Sequence, residues 1–490
     1  MRNPNRANRR SEEVSGQPLP PIGNMMIPQT IAAIATPPGK GGIGIIKISG
    51  KDAIPIASSI FKKSGVRPGE EMPPFESHRL YHGYIVDPDG GRVLDEVLLS
   101  VMKAPRSYTR EDVVEINAHS GWVVLSEILE LLVSRGARLA SPGEFTKRAF
   151  LNGRIDLTQA EGIVDIINAR TKKALEIAST QARGYLGESV QSIRKRLIRI
   201  LAEVEADIDF ADDASTADIA GLSSSLQEKV IEPISGILQR YSSAQLYRDG
   251  VRVAVVGRPN VGKSSLINRL IRKDRVIVTP VPGTTRDIIE EELEIEGIPL
   301  IISDTAGLHP SEDPVESIGI RKTKECIHLS DVIFFLIEAG CDVTEEDFEI
   351  YRLIEKKRVL LIVNKIDLQP AGKEFFLPEN WHLPTAMISV LKDQGIDRLE
   401  RLFVDSFSSG RCCEQEYSED RWAPNLRQKI LLEKSLNDAV SAFRALRERL
   451  PIDLAAIDLR EALDALGEIT GDTVQESILD EIFRHFCIGK

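Results

Sequence analysis

The sequence predicts a multidomain chain in which an α+β N-terminal domain precedes an all-α helical domain, with an α/β phosphate-binding domain inserted into the helical one. Three features point to it. Near the N-terminus, short runs alternate apolar and polar residues with a period of two. Two long stretches further on repeat apolar residues at three- and four-residue steps. Between those stretches stands Gly257-Arg258-Pro259-Asn260-Val261-Gly262-Lys263-Ser264, which fits the pattern G-x-x-x-x-G-K-[ST] without a mismatch.

At 490 residues the chain has room for roughly three domains of ordinary size, and 42% hydrophobic content supports packed cores. A net charge of −12 argues against a generally basic nucleic-acid coat and leaves room only for a local basic patch. Cys326, Cys341, Cys412, Cys413 and Cys487 are too few and too irregularly spaced for a disulfide framework or a zinc site, which fits a reducing, cytoplasmic setting. No apolar run approaches the roughly 18 residues of a membrane span, so no membrane association is expected. Residues 1–24 are rich in Arg, Asn and Pro, include Glu12 and Glu13 and lack an apolar centre, which predicts a disordered tail and not a secretory signal.

The ordered chain is expected to begin near Ile27. The apolar run 31–35 leads to Gly39, Gly41 and Gly44, which match G-x-G-x-x-G. A dinucleotide fingerprint must open a helix, whereas Ile45-Ile46-Lys47-Ile48-Ser49 alternates like a strand, so that reading is rejected. Strand-like runs at 97–101 and 113–116 and a helical pattern over 123–133 complete a compact α+β domain ending near residue 140.

From Leu157 to Val204 apolar residues recur with helical spacing, and Gly184 and Gly187 are expected to divide the stretch into two helices. Residues 223–246 read as a further helix. Arg194, Lys195, Arg196 and Arg199 form a basic cluster that is read as a solvated helix face. Helices resume beyond residue 407 with the stripe Leu432, Leu436, Val440, Phe443, Leu446 and Leu450. Pro451 suits a helix start, and Thr473-Val474-Gln475-Glu476 resembles a capping box.

The inserted domain carries the chemistry. The apolar run 251–256 before the phosphate loop and Leu266, Ile267, Leu270 and Ile271 after it give the strand-loop-helix context the motif needs. There the backbone N–H groups around Asn260, Val261 and Gly262 face phosphate, Lys263 reaches the β and γ oxygens, and the Ser264 hydroxyl ligates Mg²⁺ with Ser265 beside it. In Asp304-Thr305-Ala306-Gly307 an aspartate suits a water-mediated metal contact and a glycine N–H can sense the γ-phosphate. Between the two lies Thr279-Pro280-Val281-Pro282-Gly283-Thr284-Thr285, whose Thr285 would complete the Mg²⁺ shell. Asn364-Lys365-Ile366-Asp367 follows the strand-like run 359–363, and the Asp367 carboxylate can accept both the N1–H and the N2–H of guanine, a donor pair adenine lacks. Together these motifs predict a Ras-like α/β GTPase domain that binds GTP and Mg²⁺.

Leu308 follows Gly307 where Ras-type domains place a water-orienting glutamine, so another residue must position the attacking water. Asn260 offers a carbonyl oxygen to a monovalent cation at a place where an arginine finger would otherwise neutralise charge. Its simpler role is a loop-shaping hydrogen bond.

These motifs resemble the MnmE (TrmE) family of tRNA uridine modification GTPases over almost the whole chain. Beyond the nucleotide motifs, the resemblance rests on Ala35-Thr36-Pro37-Pro38-Gly39, Pro142-Gly143-Glu144-Phe145-Thr146, Arg148-Ala149-Phe150-Leu151-Asn152-Gly153, Leu466-Gly467-Glu468-Ile469-Thr470-Gly471 and the ending Phe486-Cys487-Ile488-Gly489-Lys490. It implies an N-terminal folate-binding and dimerisation domain over 25–141, a helical domain over 142–247 and 409–490, and a GTPase domain over 248–408. It further implies a homodimer that acts on tRNA in a heterotetramer-type complex with the flavoprotein MnmG (GidA), modifying C5 of the wobble uridine to an aminomethyl or carboxymethylaminomethyl form.

On the same basis K⁺ ligands fall on Asn260, Thr279, Val281 and Thr284, and the water-positioning residue on Glu316. The contacts to 5-formyltetrahydrofolate fall on Lys47, Glu115, Arg154 and Lys490, and Ser389-Val390-Leu391 covers the guanine base. Four departures stand out. Lys47 replaces a common arginine and Arg154 a common lysine, which are not interchangeable at bidentate contacts. Leu391 stands where a basic residue is usual, and Ser120 in His119-Ser120-Gly121 replaces glycine. Cys487 is read as a packing residue at an apolar helix end. A ribosome-assembly GTPase of the Era or EngA type shares the nucleotide motifs, but its appended KH-like RNA domain has no counterpart in this sequence.

Overall fold

The computed structural model describes residues 29–37, 39–66, 73–209, 218–274, 290–303, 325–368, 377–378, 381–407 and 422–490. Contacts divide the chain into two compact units, Met1–Arg154 with Asp480–Lys490, and Ile155–Leu479.

The first unit comprises β1 (Ile31–Ile34), β2 (Gly44–Ser49), α1 (Ala53–Ile60), β3 (Phe61–Lys63), β4 (Arg79–Val86), β5 (Val93–Met102), β6 (Val113–Ala118), α2 (Trp122–Ser134), β7 (Arg138–Leu139) and α3 (Glu144–Leu151). Its sheet runs β3-β4-β5-β6-β2-β1-β7, antiparallel except where β1 meets β7. The glycine triplet does lead into a strand. Strand alternation sorts the side chains between the two faces. Ile46, Ile48, Val114 and Ile116 join α1 and α2 in one buried cluster, while Ile31 and Ala33 face Phe145 of α3 on the other side. Lys47 pairs across the ladder with Ala33 and with Glu115 and so lies on that second face. The hydroxyl of Ser120 accepts from Gly41 N at 3.1 Å and donates to Gly39 O at 3.2 Å, fastening the glycine loop.

The second unit begins with α4 (Leu157–Asn168), α5 (Lys172–Ala182), α6 (Tyr185–Asp209), α7 (Ile219–Leu226) and α8 (Glu232–Asp249). Gly184 divides α5 from α6 as expected, but Gly187 lies within α6, where a Cβ would come 2.0 Å from Asp156 Oδ2. A break between α4 and α5 was not expected. Thr171 creates it by capping α5, its hydroxyl accepting from Ala174 N at 3.2 Å. The expected helix over 223–246 spans α7 and α8, joined by a π turn over Gln227–Ile231.

After the inserted domain come α12 (Leu426–Arg447), α13 (Ile452–Thr470) and α14 (Glu476–Arg484). The main helical core draws Leu186, Val190, Leu197 and Val204 from before the insert and Leu432, Ala439, Leu459 and Leu466 from after it. Glu161 of α4 takes a bidentate ion pair from Arg427, 2.7 and 2.9 Å, and a hydrogen bond from Gln428. Thr473 does not cap α14. Its hydroxyl donates to Asp464 O at 3.1 Å, and Gln475 supplies the carbonyl that accepts from Leu479 N. Within the basic cluster Lys195, Arg196 and Arg199 are exposed, but Arg194 is half-buried and pairs with Asp472.

Arg248, three residues before the inserted domain's first strand, gathers the connections of the insert. It pairs with Asp165 of α4 at 3.0 Å and donates to Gln181 Oε1 at 2.8 Å, Pro424 O at 3.0 Å and Ala423 O at 3.2 Å. Burial lifts the Asp165 carboxyl to about 6, against the opposing charge of Arg248.

The insert comprises β8 (Val251–Val256), α9 (Lys263–Asp274), β9 (Glu290–Ile295), β10 (Ile298–Ser303), β11 (Val332–Glu338), α10 (Glu345–Ile354), β12 (Arg358–Asn364), β13 (Thr385–Met387) and α11 (Ile396–Phe407). Its sheet order is β13-β12-β11-β8-β10-β9, parallel except for β9. Among the described residues no helix is long and apolar enough to cross a membrane.

Candidate functional site

Open α/β sheets bind ligands at the carboxyl ends of their parallel strands. β8, β10, β11, β12 and β13 are parallel, so Val256, Ser303, Asn364 and Met387 end their strands at one edge. β8 lies between β10 and β11 and is buried along nearly its whole length, which gives the phosphate loop a fixed starting point.

Gly257 and Gly262 have φ of 149° and 102°, and a Cβ on Gly262 would come 2.3 Å from Asn364 Nδ2. Asn260 is left-handed at φ 64°, a conformation asparagine tolerates better than most residues. Lys263 opens α9 and donates from Nζ to Gly257 O and Arg258 O, each at 2.8 Å. The loop therefore curls around the ammonium, as a phosphate cradle requires. Burial pushes the Lys263 pKa down, opposed by the charge of Glu346. Ser264 and Ser265 are exposed on the first turn of α9, open to a metal or a phosphate.

Asn364 is a hub: its Nδ2 donates to Val261 O at 2.8 Å and its Oδ1 accepts from Val390 N at 3.3 Å. It ties the phosphate loop to the Ser389-Val390-Leu391 segment. Lys365 is left-handed at φ 64° and pairs with Glu338 at the end of β11, 2.9 Å away. Ser389 is fully buried, donates to the Asp367 carboxylate and accepts from Lys392 N at 3.1 Å, so the proposed guanine acceptor is held in place. Leu391 is 82% exposed, an apolar side chain beside the expected base position.

A further support carries no motif. Arg258 inside the loop donates to Asp347 at 2.9 Å, and this buried carboxylate also accepts from the N–H and hydroxyl of Thr344, capping α10. Thr279, Pro280, Val281, Pro282, Gly283, Thr284, Thr285, Asp304, Thr305, Ala306, Gly307 and Glu316 lie outside the described residues.

A second polar site lies in the first unit. Lys47 and Glu115 face each other at 3.7 Å on the side of the sheet that α3 packs against. Both Lys47 and Arg154 sit over the ring of Tyr108, 5.5 and 4.6 Å from its centre. Lys490 is brought in by the chain end: Gly489 lies so close to β1 that a Cβ would come 2.6 Å from Ala35 Cα. Burial lowers the Lys47 pKa, opposed by Glu115 and reinforced by Lys490. Burial likewise raises that of Tyr108, whose hydroxyl shares a 2.9 Å hydrogen bond with Thr146.

The structure thus places Lys47 and Arg154 over Tyr108, which sequence reasoning missed, with Glu115 and Lys490 acting on Lys47. A lone aromatic in the Ser107-Tyr108-Thr109 loop has no periodicity to mark it. Arg148, fully buried in α3, holds that loop through Glu111 at 3.0 Å while its other nitrogen meets Glu144 at 2.9 Å. A carboxylate and several cations around an aromatic ring suit a flat heterocycle with an amide edge and a carboxylate tail. Cys487 lies beyond the last helix and is exposed, so it is not the packing residue expected from sequence.

Two family models match this chain. One, described as the MnmE helical domain, matches residues 157–487; another, described as the GTP-binding protein TrmE N-terminus, matches residues 30–154. Among curated relatives, the tRNA modification GTPase MnmE of Alkaliphilus oremlandii is 45% identical over 469 residues, 95% of this chain and 100% of that protein. The protein of the same name from Carboxydothermus hydrogenoformans is 44% identical over 474 residues, again 95% and 100%. That from Geobacillus kaustophilus is 41% identical over 466 residues, 94% of this chain and 99% of that protein.

Proposed function

Since the chain belongs to the MnmE (TrmE) family of tRNA modification GTPases, we propose that it is a potassium-activated GTPase that works with a flavoprotein partner of the MnmG type on C5 of the wobble uridine of certain tRNAs. The nearly full-length match carries this reading, because it unites the N-terminal domain, the helical domain and the nucleotide motifs in one chain. In this reading the chain is a cytoplasmic homodimer with the domain limits given above. Among the described residues nothing favours the ribosome-assembly alternative.

The residues divide the work. Lys263 and the N–H groups of Asn260 to Ser264 hold the phosphates, Asp367 and the Ser389-Val390-Leu391 segment hold guanine, and Ser264 with Thr285 ligates Mg²⁺. Asn260, Thr279, Val281 and Thr284 ligate K⁺, and Glu316 orients the attacking water. Bound there, Mg²⁺ and K⁺ neutralise charge that develops on the phosphates. Lys47, Glu115, Arg154 and Lys490 would hold a folate such as 5-formyltetrahydrofolate. When bound, the folate supplies a one-carbon unit.

Nucleoside analysis of tRNA tests the whole reading. A strain lacking this chain should lose the modified wobble uridine and regain it on complementation; wobble uridines unaltered by the deletion would sink the proposal. For the cation, GTP hydrolysis is expected to run at least about tenfold faster in K⁺ than in Na⁺. Equal rates would remove the assignment of Asn260. For the folate site, Lys47→Met is expected to weaken 5-formyltetrahydrofolate by about 10- to 100-fold in calorimetric titration, the loss of a charge-assisted contact. An unaltered affinity would place the folate elsewhere.

A further inference from the structure

β9 and β10 form an antiparallel pair whose far end joins Glu290 to Ser303 and whose near end joins Ile295 to Ile298. The far end belongs to the nucleotide motifs by chain connection: Asp287 lies three residues before β9, and Asp304 follows Ser303 directly. The near end is the turn Glu296-Gly297, with φ of 50° and 86°, a tight hairpin geometry. At about 3.3 Å per residue, the six-residue strands span about 20 Å between the two ends.

The near end is docked on the helical body. Thr171 donates to Gly297 O at 2.9 Å in a buried hydrogen bond, and Lys173 donates to Glu296 O at 2.8 Å. The Lys173 stem crosses Gly297 so closely that a Cβ there would lie 2.4 Å from Cδ, and its ammonium sits 5.0 Å from the centre of the Tyr247 ring. The Thr171 hydroxyl has a second task, since it also caps α5. One side chain therefore starts the helix and holds the turn. α5 leads on to Gln181, which accepts from Arg248 at the root of the insert.

We propose that Thr171 and Lys173 are positioning residues of the GTPase cycle: by holding the Glu296-Gly297 turn they make the β9–β10 pair a lever that links the γ-phosphate-sensing segments to α5. β10 also pairs with β8 from Leu300 to Ser303, so it is through β9 and the tight turn that a shift at the far end reaches α5, where it either moves the first turn of the helix or strains these two hydrogen bonds. Coupling of this kind is reciprocal. Undocking the turn must therefore also change the preference of the nucleotide site for GTP over GDP.

The test uses the full-length chain. Thr171→Asp keeps an acceptor to cap α5 but has no hydroxyl proton for Gly297 O, and Lys173→Met keeps the aliphatic stem without the ammonium. Thr171→Ser keeps both functions. Amide hydrogen exchange across α5 is measured with GDP and with a non-hydrolysable GTP analogue, together with the affinity for each.

The unmodified chain and Thr171→Ser should show a nucleotide-dependent change in protection at the N-terminal amides of α5. The Thr171→Asp/Lys173→Met variant should lose that change, keep the overall protection of the helix, and shift its ratio of analogue to GDP affinity at least about threefold. Protection of α5 that is the same with both nucleotides in the unmodified chain would overturn the proposal. So would a double variant that retains the full difference.

Discussion

Asp367→Asn is expected to weaken GTP by about 10- to 150-fold and to let the chain accept a xanthine nucleotide. Each hydrogen bond from guanine N1–H and N2–H to a carboxylate is worth about 1.5–3 kcal/mol, and the amide can accept only one of them. Xanthine carries an oxygen where guanine carries its amino group, and an asparagine N–H can donate to it. The Ser389 hydroxyl that steadies Asp367 finds an acceptor in either side chain, so the segment keeps its shape. Fluorescence titration with both nucleotides reads the outcome. GTP binding at full strength in the variant would show that guanine is recognised elsewhere.

Glu316→Ala should leave GTP affinity within about twofold and lower single-turnover hydrolysis by about 10²- to 10⁴-fold, the range for loss of a positioned acid–base group. The resemblance to the family puts Glu316 in this role, and Leu308 leaves it open because it has neither an acceptor for the water proton nor a donor for its oxygen. Full turnover in K⁺ with GTP would return Glu316 to the role of a surface carboxylate.

What the sequence revealed and what it hid divide along physical lines. The phosphate loop is legible because its chemistry needs glycines, a lysine and a hydroxyl at fixed offsets, so few sequences imitate it. The alternation through Ile45-Ile46-Lys47-Ile48-Ser49 also held, since one face of β2 is buried against α1 and α2 and the strand period then dictates every second residue. That alternation is also what puts Lys47 and Glu115 on the same face.

Long-range partners are another matter. Arg258 and Asp347, or Tyr108 and Arg154, are far apart in the chain, and nothing local distinguishes them from surface residues. Thr171 was legible in principle as a cap, but helical spacing on both sides of it masked the break. Thr473 failed for the opposite reason: it has the right residue type and offset for a cap, yet its hydroxyl is drawn to the Asp464 carbonyl at the end of the neighbouring helix. Tertiary contacts overrode a local signal there, as they commonly do.

Arg248 fixes an order of assembly. It donates to Ala423 O and Pro424 O, so in the finished fold the chain entering the insert lies beside the chain returning from it. The helical core needs Leu432, Ala439, Leu459 and Leu466, which leave the ribosome after the whole insert. Emerging helices α4 to α8 therefore wait without their partners while the insert folds as a unit. A folded insert replaces a long open chain with two ends at a set separation, which lowers the loop-closure entropy of bringing α12 to its partners. The guest domain is finished first, and the host is completed around it.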